Sequence, residues 1–122
     1  MLIEGKKFDL RLYVMVKGYD PIEAYIANEG LARLCTENYR QPTKENMKNM
    51  FMHLTNFSLN KNSDNYKAPT DDFLTSDNGS KRLMSSLWKL IEEQGHDIST
   101  VKAKIIDTIR KTVITLEPYL IH

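Results

Sequence analysis

Charged side chains alternate along the sequence KKFDLRLYV, near the start of the chain. Lys7, Asp9 and Arg11 are spaced i, i+2, i+4, so in a β-strand they share the face opposite Phe8 and Leu10. A lysine offers phosphate a point charge, and an arginine offers carboxylate or phosphate a planar fork of donors. The spacing therefore suits the binding of a polyanion. The alternative is a solvated strand face with ion pairs to a neighbouring strand.

A second polar group interrupts the apolar run MFMHLTNFSLNK, which covers residues 50–61. Its polar members include His53, Thr55, Asn56 and Lys61. Alternation predicts a strand over Met52–Leu59, with Leu54 and Asn56 on the face opposite His53 and Thr55. An unpaired buried polar group costs about 1–3 kcal/mol, so either the fold or a ligand must supply partners here. The residue types leave both possibilities open.

Other reactive residues give weaker signals. Glu29 and Arg33 lie on either side of Gly30, where they could simply be turn residues on the surface. Cys35 is the single cysteine, and burial as an inert thiol is its expected role. The three histidines lack metal-ligand spacing, so the sequence predicts no metal site of its own.

The elements that position these residues are predicted from periodicity and turn chemistry. Phe8–Val16 alternates as one strand, and a turn at Gly18–Pro21 leads into a second antiparallel strand over Glu23–Asn28. Leu31–Cys35 continues as a short strand or turn. Two polar segments, Thr36–Met50 and Asn60–Ser80, are predicted to be loops.

The last third of the chain has helical periodicity. One helix is expected over Lys81–Gln94, capped by Ser80 and ended by Gly95. A second is expected over Thr100–Leu116, capped by Ser99 and ended by Pro118. The predicted class is therefore α+β, with an antiparallel β-sheet packed against two C-terminal helices.

Composition sets further bounds. The 122 residues carry a net charge of +1 and only one cysteine, which indicates no strong field for nucleic acid or membrane and a reducing compartment. No run of eighteen apolar residues predicts a membrane span. Strand-like patterning starts almost at the first residue and the chain ends in an apolar run, so we expect a segment of a longer protein.

Three motifs in order, KKFDLRLYVMV, EGLARLCTENY and MHLTNFSLNK, resemble the tubulin–tyrosine ligase-like family over nearly the whole chain. The resemblance implies a partial ATP-grasp fold, with residues 1–122 forming an incomplete catalytic domain. It implies an ATP-dependent ligase that activates a carboxylate as an acyl phosphate and then forms an amide with an amino acid. The FDLR, TENY and NFSLNK variants are more similar to the glutamate-adding branch, the tubulin polyglutamylases.

The same resemblance assigns roles to individual residues. Catalytic roles fall to Arg11, Arg33 and Lys61, with the arginines holding the reacting carboxylate and phosphate and Lys61 lying near the incoming substrate. Nucleotide-binding roles fall to Lys7, Asp9, His53, Leu54, Thr55 and Asn56. Lys7 is expected near the ATP phosphates, and the HLTN residues are expected to line the nucleotide pocket as a strand.

The resemblance also implies ligands and partners. ATP and magnesium are the expected cofactors, with the magnesium ligands outside this segment. Tubulin or microtubules and glutamate are the expected partners, with no nucleic acid and no membrane. The expected location is the cytoplasm and cytoskeleton, with the cilium or basal body as a further site. Residues 1–122 alone are expected to be inactive as a ligase. The alternative is a catalytically incomplete or degenerate segment that only binds tubulin or nucleotide.

Overall fold

The computed structural model describes residues 1–68 and 79–120, without the side chains of Tyr19 and Leu120. Five strands and four helices are found there, an α+β arrangement. The strands are β1 (Phe8–Arg11), β2 (Val14–Tyr19), β3 (Ile22–Ile26), β4 (Leu31–Leu34) and β5 (Lys81–Leu83). The helices are α1 (Met50–His53), α2 (Phe57–Asn60), α3 (Met84–Glu93) and α4 (Ile98–Leu120).

A three-stranded antiparallel sheet of order β1-β4-β5 carries the core on one face. Ala32 and Leu34 of β4 point into that core and meet Leu87 and Ile91 of α3. Because side chains alternate along a strand, Asp9 and Arg33 lie on the opposite face of the sheet. The predicted antiparallel sheet with helices packed on it is confirmed.

The predicted single strand over Phe8–Val16 is divided into two strands that belong to different sheets. β1 pairs with β4, whereas β2 forms a separate hairpin with β3. The backbone at the end of β1 crosses close to Gly30, where an added Cβ would lie 2.6 Å from the carbonyl oxygen of Arg11. The hairpin prediction is confirmed, and its turn contains a cis peptide bond between Asp20 and Pro21.

The strand predicted over Met52–Leu59 is wrong, because that segment forms two single-turn helices, α1 and α2. The backbone N–H groups of Leu54 and Asn60 donate to the carbonyls of Met50 and Asn56, four residues back. Local hydrogen bonds therefore replace the bonds to a partner strand that the alternation suggested.

The helix predicted to begin at Lys81 instead starts at Met84, because Lys81–Leu83 pairs with the edge of β4 as β5. Ser80 is buried and does not cap a helix. Its backbone N–H donates to the carbonyl of Lys67, and its hydroxyl accepts from the N–H of Lys67. The loop predicted over Asn60–Ser80 is irregular over residues 61–68, and its residues 69–78 lie outside the described part of the chain.

α4 begins earlier and ends later than predicted, at Ile98 and Leu120. Asp97 caps it instead of Ser99, because the Asp97 carboxylate accepts bonds from the N–H of Ser99 and the hydroxyl of Thr100. Pro118 lies inside the last turn, where its missing N–H removes one helical bond at most. Gly95 has a φ of +80° and ends α3 as predicted.

Several large apolar side chains remain exposed. They include Tyr13, Met15, Tyr25, Ile106, Ile114 and Tyr119. Leu54 is 42% exposed and so is not part of the core. Among the described residues, no helix is both long and apolar enough to cross a membrane.

Candidate functional site

An ion pair lies at the centre of the polar sheet face. Asp9 of β1 and Arg33 of β4 are directly opposite in the strand register. The Nε of Arg33 donates to one carboxylate oxygen of Asp9 at 2.8 Å, and its Nη2 donates to the other at 2.5 Å. The bidentate geometry fixes the plane of the guanidinium. Arg11 lies two residues from Asp9, on the same face of β1.

The surroundings keep this pair charged. Burial raises the pKa of Asp9, but hydrogen bonds from Arg33 and Thr55, together with the charges of Arg33 and Arg11, outweigh it, so the pKa lies below its ordinary value. The bond from Asp9 raises the pKa of Arg33 more than burial lowers it. Asp9 is therefore a carboxylate at neutral pH and Arg33 is a cation.

The segment between α1 and α2 meets the same sheet face. Lys7 donates from its ammonium to the carbonyl of His53 at 2.8 Å, and Thr55 lies close enough to Asp9 to lower the pKa of its carboxyl group. The His53 ring faces away from this contact, because its Nε2 lies 3.1 Å from the carbonyl of Asn46 and its edge packs on Tyr39. The His53 backbone, and not its imidazole, is what reaches the site.

Asn60 holds that segment in place. This side chain is 2% exposed, and its oxygen accepts from both the N–H and the hydroxyl of Thr36 at 3.0 Å. Its amide nitrogen donates to the carbonyls of Leu54 at 2.7 Å and Asn56 at 3.0 Å. Every hydrogen-bonding atom of the buried amide is thus used, and Thr55 is fixed between two anchored carbonyls. Asn60 is absent from the predicted site residues, although an asparagine at the end of an apolar run is a visible signal in the sequence.

A cavity of about 240 Å³ opens beside the ion pair. Its polar and charged lining includes Arg11, Arg33, Thr55 and Lys81. Its aromatic lining consists of Tyr13, Phe57 and Tyr66, of which Phe57 and Tyr66 pack edge to face with ring centroids 6.0 Å apart. Cationic donors beside aromatic walls are suited to a small anion that also has an apolar part.

The structure brings together six of the nine predicted site residues. They are Lys7, Asp9, Arg11, Arg33, Thr55 and the backbone of His53. Leu54 and Asn56 are exposed and do not line the cavity. Lys61 is also outside the lining, and its ammonium lies 6.0 Å from the centre of the Phe57 ring.

Glu29 has a positioning role that its sequence context did not reveal. One oxygen of its carboxylate accepts from the N–H of Gly30 at 2.9 Å and from the N–H of Ser85, in the first turn of α3, at 3.2 Å. Burial raises the pKa of Glu29, but bonds from Gly30 and Ser85 lower it below its ordinary value overall. Glu29 therefore fixes α3 to the start of β4, beside the backbone of Arg11.

A larger cavity, of about 1080 Å³, lies elsewhere and is lined by residues of the two polar loops, including Arg40, Asn46 and Lys67. None of the predicted site residues lines it. Within residues 1–68 and 79–120, no group of three or more His, Cys, Asp or Glu side chains could hold a metal ion. Cys35 is buried, and burial raises the pKa of its thiol.

Comparison with known proteins identifies the family. The model of the tubulin-tyrosine ligase family matches residues 1–121. Tubulin polyglutamylase TTLL11 of Homo sapiens is 48% identical over 120 residues, covering 98% of this chain and 16% of that protein. A probable beta-tubulin polyglutamylase of Tetrahymena thermophila is 42% identical over 121 residues, covering 99% of this chain and 10% of that protein.

Tubulin polyglutamylase TTLL5 of Homo sapiens is 44% identical over 117 residues, covering 96% of this chain and 9% of that protein. The chain thus spans between 9% and 16% of the length of these three relatives. The family match extends over both strands of the ion pair and over the segment that holds Thr55. The chain belongs to the tubulin-tyrosine ligase family.

Proposed function

We infer that this chain contributes part of the active site of an ATP-dependent ligase that joins glutamate to tubulin through an amide bond. Its relatives are named tubulin polyglutamylases. The observation that carries the proposal is the convergence of Arg11, the Asp9–Arg33 pair and Thr55 on one sheet face, beside a small cationic cavity. An ATP-grasp architecture, in which nucleotide and substrate meet over an antiparallel sheet, is part of the same proposal.

The residues present fit ATP as the source of a phosphoryl group. When bound, ATP would supply the group that makes a carboxylate reactive toward an amine. Lys7 and Arg11 are the side chains of this chain that would hold phosphate oxygens, because both are exposed cations on the polar sheet face. Negative charge develops on oxygen atoms during amide formation, and preorganised hydrogen-bond donors stabilise that charge most effectively.

Asp9 would act by orienting its partner and not by transferring a proton. Its lowered pKa keeps it charged at neutral pH, so it is a poor general acid. It takes the Nε and Nη2 donors of Arg33. Within the described residues, this leaves the Nη1 donors of Arg33 for an oxyanion of the substrate. Thr55 lies beside the same carboxylate and helps to lower its pKa, so the segment between α1 and α2 contributes to the environment of the arginine pair.

Magnesium does not fit the described residues. Asp9 is the single carboxylate at the ion pair and is occupied by Arg33, and the described part of the chain has no group of metal-capable side chains. Magnesium normally takes one or two carboxylates together with phosphate oxygens and water. No step is therefore derived through this ion.

The described residues contain no group of metal-capable side chains, and this favours a second function. A segment that binds tubulin or nucleotide without ligating would need the cationic cavity but no metal ligands of its own. A ligase or a tubulin-binding segment would act with tubulin, in the cytoplasm and cytoskeleton or in a cilium or basal body. They differ in one respect, which is whether a covalent bond is formed.

The test is amino acid incorporation by the longest product of the gene that contains these residues. Purified protein is incubated with tubulin, ATP and radiolabelled glutamate, with labelled tyrosine and glycine in parallel. We expect glutamate on the tubulin tail, in proportion to the ADP formed and only when ATP is present. Binding of ATP or tubulin without incorporation would favour the second function. Incorporation of tyrosine or glycine in preference to glutamate would overturn the proposed substrate.

A further inference from the structure

We propose that Glu4 and Arg82 are positioning residues, whose ion pair fixes the turn before β1 and so holds Lys7 in place for the phosphates of ATP. This inference rests on the proposed function, because ATP is the ligand that Lys7 would hold. Neither Glu4 nor Arg82 lies in the three sequence motifs, and the two residues are 78 positions apart. Their contact therefore exists only in the folded chain.

Arg82 carries a charge into the core. It lies opposite Ala32 in the strand register, on the core face of the sheet, and is 2% exposed. Its Nε donates to the carbonyl of Gly79, and its Nη2 donates to one oxygen of Glu4, both at 2.8 Å. Its Nη1 lies 2.8 Å from the other oxygen of Glu4 but makes no hydrogen bond within the described residues. The negative charge of Glu4 is therefore what compensates the burial of Nη1.

Glu4 lies in a tight two-residue turn. The flanking residues, Ile3 and Lys6, exchange backbone hydrogen bonds of 3.1 and 2.9 Å. Between them, Glu4 and Gly5 have φ values of +51° and +72°, which glycine adopts readily and glutamate rarely. The side chain of Ile3 is fully buried in the core, and Arg82 binds the Glu4 carboxylate. The core and the ion pair thus hold a conformation that needs support from its surroundings.

The turn determines where the backbone of Lys7 lies. Lys7 is the residue between the turn and β1. Its carbonyl accepts from the N–H of Cys35 at 2.9 Å, and its ammonium reaches the carbonyl of His53. A lysine side chain has many rotamers, so its ammonium can be preorganised only if the backbone that carries it is fixed. The ion pair fixes the chain at Glu4, three residues before Lys7.

The energetics of such a pair favour a positioning role over a stabilising one. The cost of taking charges out of water offsets most of their attraction, so replacing both partners by neutral residues is often neutral for stability. Removing one partner leaves an unpaired charge and is strongly destabilising. The hydrogen bond from Arg82 lowers the pKa of Glu4, and burial only partly opposes this, so the pair is charged at neutral pH. What the pair adds is a defined geometry.

The single cysteine reports on this part of the chain without ATP, glutamate or tubulin. Cys35 is fully buried and its N–H is bonded to the Lys7 carbonyl. The rate at which the thiol reagent DTNB labels Cys35 therefore measures how often its surroundings open. Labelling of the 122-residue protein is followed at several urea concentrations, because global unfolding depends steeply on urea and local opening depends on it little.

The variants separate charge from geometry. Glu4→Gln and Arg82→Met each remove one charge, and the double variant removes both. The same substitution types in the exposed Lys17–Glu23 ion pair, Lys17→Met with Glu23→Gln, provide the matched control. In the longest gene product, the KM values for ATP and for glutamate are measured for the same variants, with Lys7→Ala as the reference. Melting temperatures are measured for every protein.

We expect each single variant to melt at a lower temperature and to label Cys35 about tenfold faster or more at low urea. The double variant should melt close to wild type, since no buried charge is left unpaired, yet it should keep the fast labelling. All three should raise the KM for ATP about tenfold, the value of one charge-assisted hydrogen bond, as Lys7→Ala does. The KM for glutamate should not change, whereas a general loss of structure would raise both.

Three results would overturn the inference. They are wild-type labelling of Cys35 in the double variant, equal effects of the control variant, and a KM for ATP that rises no more than the KM for glutamate. If Lys7→Ala raises the KM for ATP and the double variant does not, the inference fails and the ligase proposal stands. A gene product that incorporates no glutamate refutes the ligase proposal, and the labelling rates then still decide whether the ion pair fixes the turn.

Discussion

Replacing Asn60 by alanine is expected to destabilise the chain far more than its size suggests. The side chain is 2% exposed and bonds to Thr36, Leu54 and Asn56. Alanine would leave the buried N–H of Thr36 without its partner, which costs about 1–3 kcal/mol. It would also remove the bonds to the two carbonyls, at about 1 kcal/mol each. We therefore expect a loss of about 3–5 kcal/mol in the free energy of unfolding.

The matched control is Asn62→Ala, two residues along the chain. Asn62 is exposed and makes one long bond, of 3.3 Å, to the carbonyl of Ser58, so its loss should cost less than about 0.5 kcal/mol. Urea denaturation and thermal melting of the two variants give the comparison. Asn60→Ala should lower the melting temperature by roughly 10–20 °C, and Asn62→Ala should leave it nearly unchanged.

A third variant, Asn60→Asp, separates hydrogen bonding from volume. Aspartate keeps an acceptor for Thr36, but its second oxygen replaces the donor that faces the carbonyls of Leu54 and Asn56. The folded state then favours the protonated acid, so the folded pKa is raised and stability relative to Asn60→Ala should increase as the pH falls from 7 to 4. Equal stability of Asn60→Ala and Asn62→Ala would refute the anchoring role. So would an Asn60→Asp variant whose stability relative to Asn60→Ala does not change with pH.

Substitutions of Gly30, Asp97 and Asp9 test other parts of the structure. Gly30→Ala should destabilise the chain by about 1–3 kcal/mol and displace Arg11, because the added Cβ would lie 2.6 Å from the Arg11 carbonyl oxygen; unchanged unfolding in urea would contradict the close crossing. Hydrogen bonds from Ser99 and Thr100, at the start of α4, lower the pKa of Asp97 to about 2. The charged Asp97 therefore stabilises the folded state at pH values above its ordinary pKa, and this stabilisation is lost as the pH falls from about 4 to 2. Asp97→Asn should flatten the acid limb of a helicity titration by circular dichroism, and an unchanged limb would assign acid unfolding to other groups. Asp9→Asn should leave the fold largely intact but weaken anion binding, because Arg33 loses the bidentate contact that orients it; unchanged affinity for glutamate would mean that this orientation is not needed.

The sequence carried most of the information about the ion pair and little about the segment that meets it. The alternation in KKFDLRL predicts that Lys7, Asp9 and Arg11 share a face, and the structure confirms this for Asp9 and Arg11, which both lie in β1. In the HLTN segment, alternation was a misleading signal. The side chain of Asn60 donates to the carbonyls of Leu54 and Asn56, which in a strand would accept bonds from a neighbouring strand. A helix of a single turn is also too short to show a helical periodicity in the sequence.

The role of β5 could not be predicted for a different reason. Lys81–Leu83 directly precedes α3, and its apolar residue continues the helical stripe, so local periodicity extends the helix through it. Pairing with β4 is a long-range contact that covers an exposed strand edge, and only tertiary structure reveals it. Lys81 was consequently absent from the predicted site. The same limit applied to Glu29, whose partner Ser85 is 56 residues away.

The ligase proposal rests on the arginines of the polar sheet face, which would stabilise the reacting groups. Its most direct test is glutamate incorporation into tubulin by Arg11→Ala and Arg11→Lys in the longest gene product, with Arg110→Ala on α4 as the matched control and melting temperatures measured alongside. Arg11 is exposed, so its loss opens no core cavity and stability should hardly change. We predict a fall in turnover of about 10²–10³ for Arg11→Ala, partial recovery in Arg11→Lys because an ammonium lacks the planar fork, and wild-type turnover in Arg110→Ala. Near-normal incorporation by a folded Arg11→Ala enzyme would contradict the proposal.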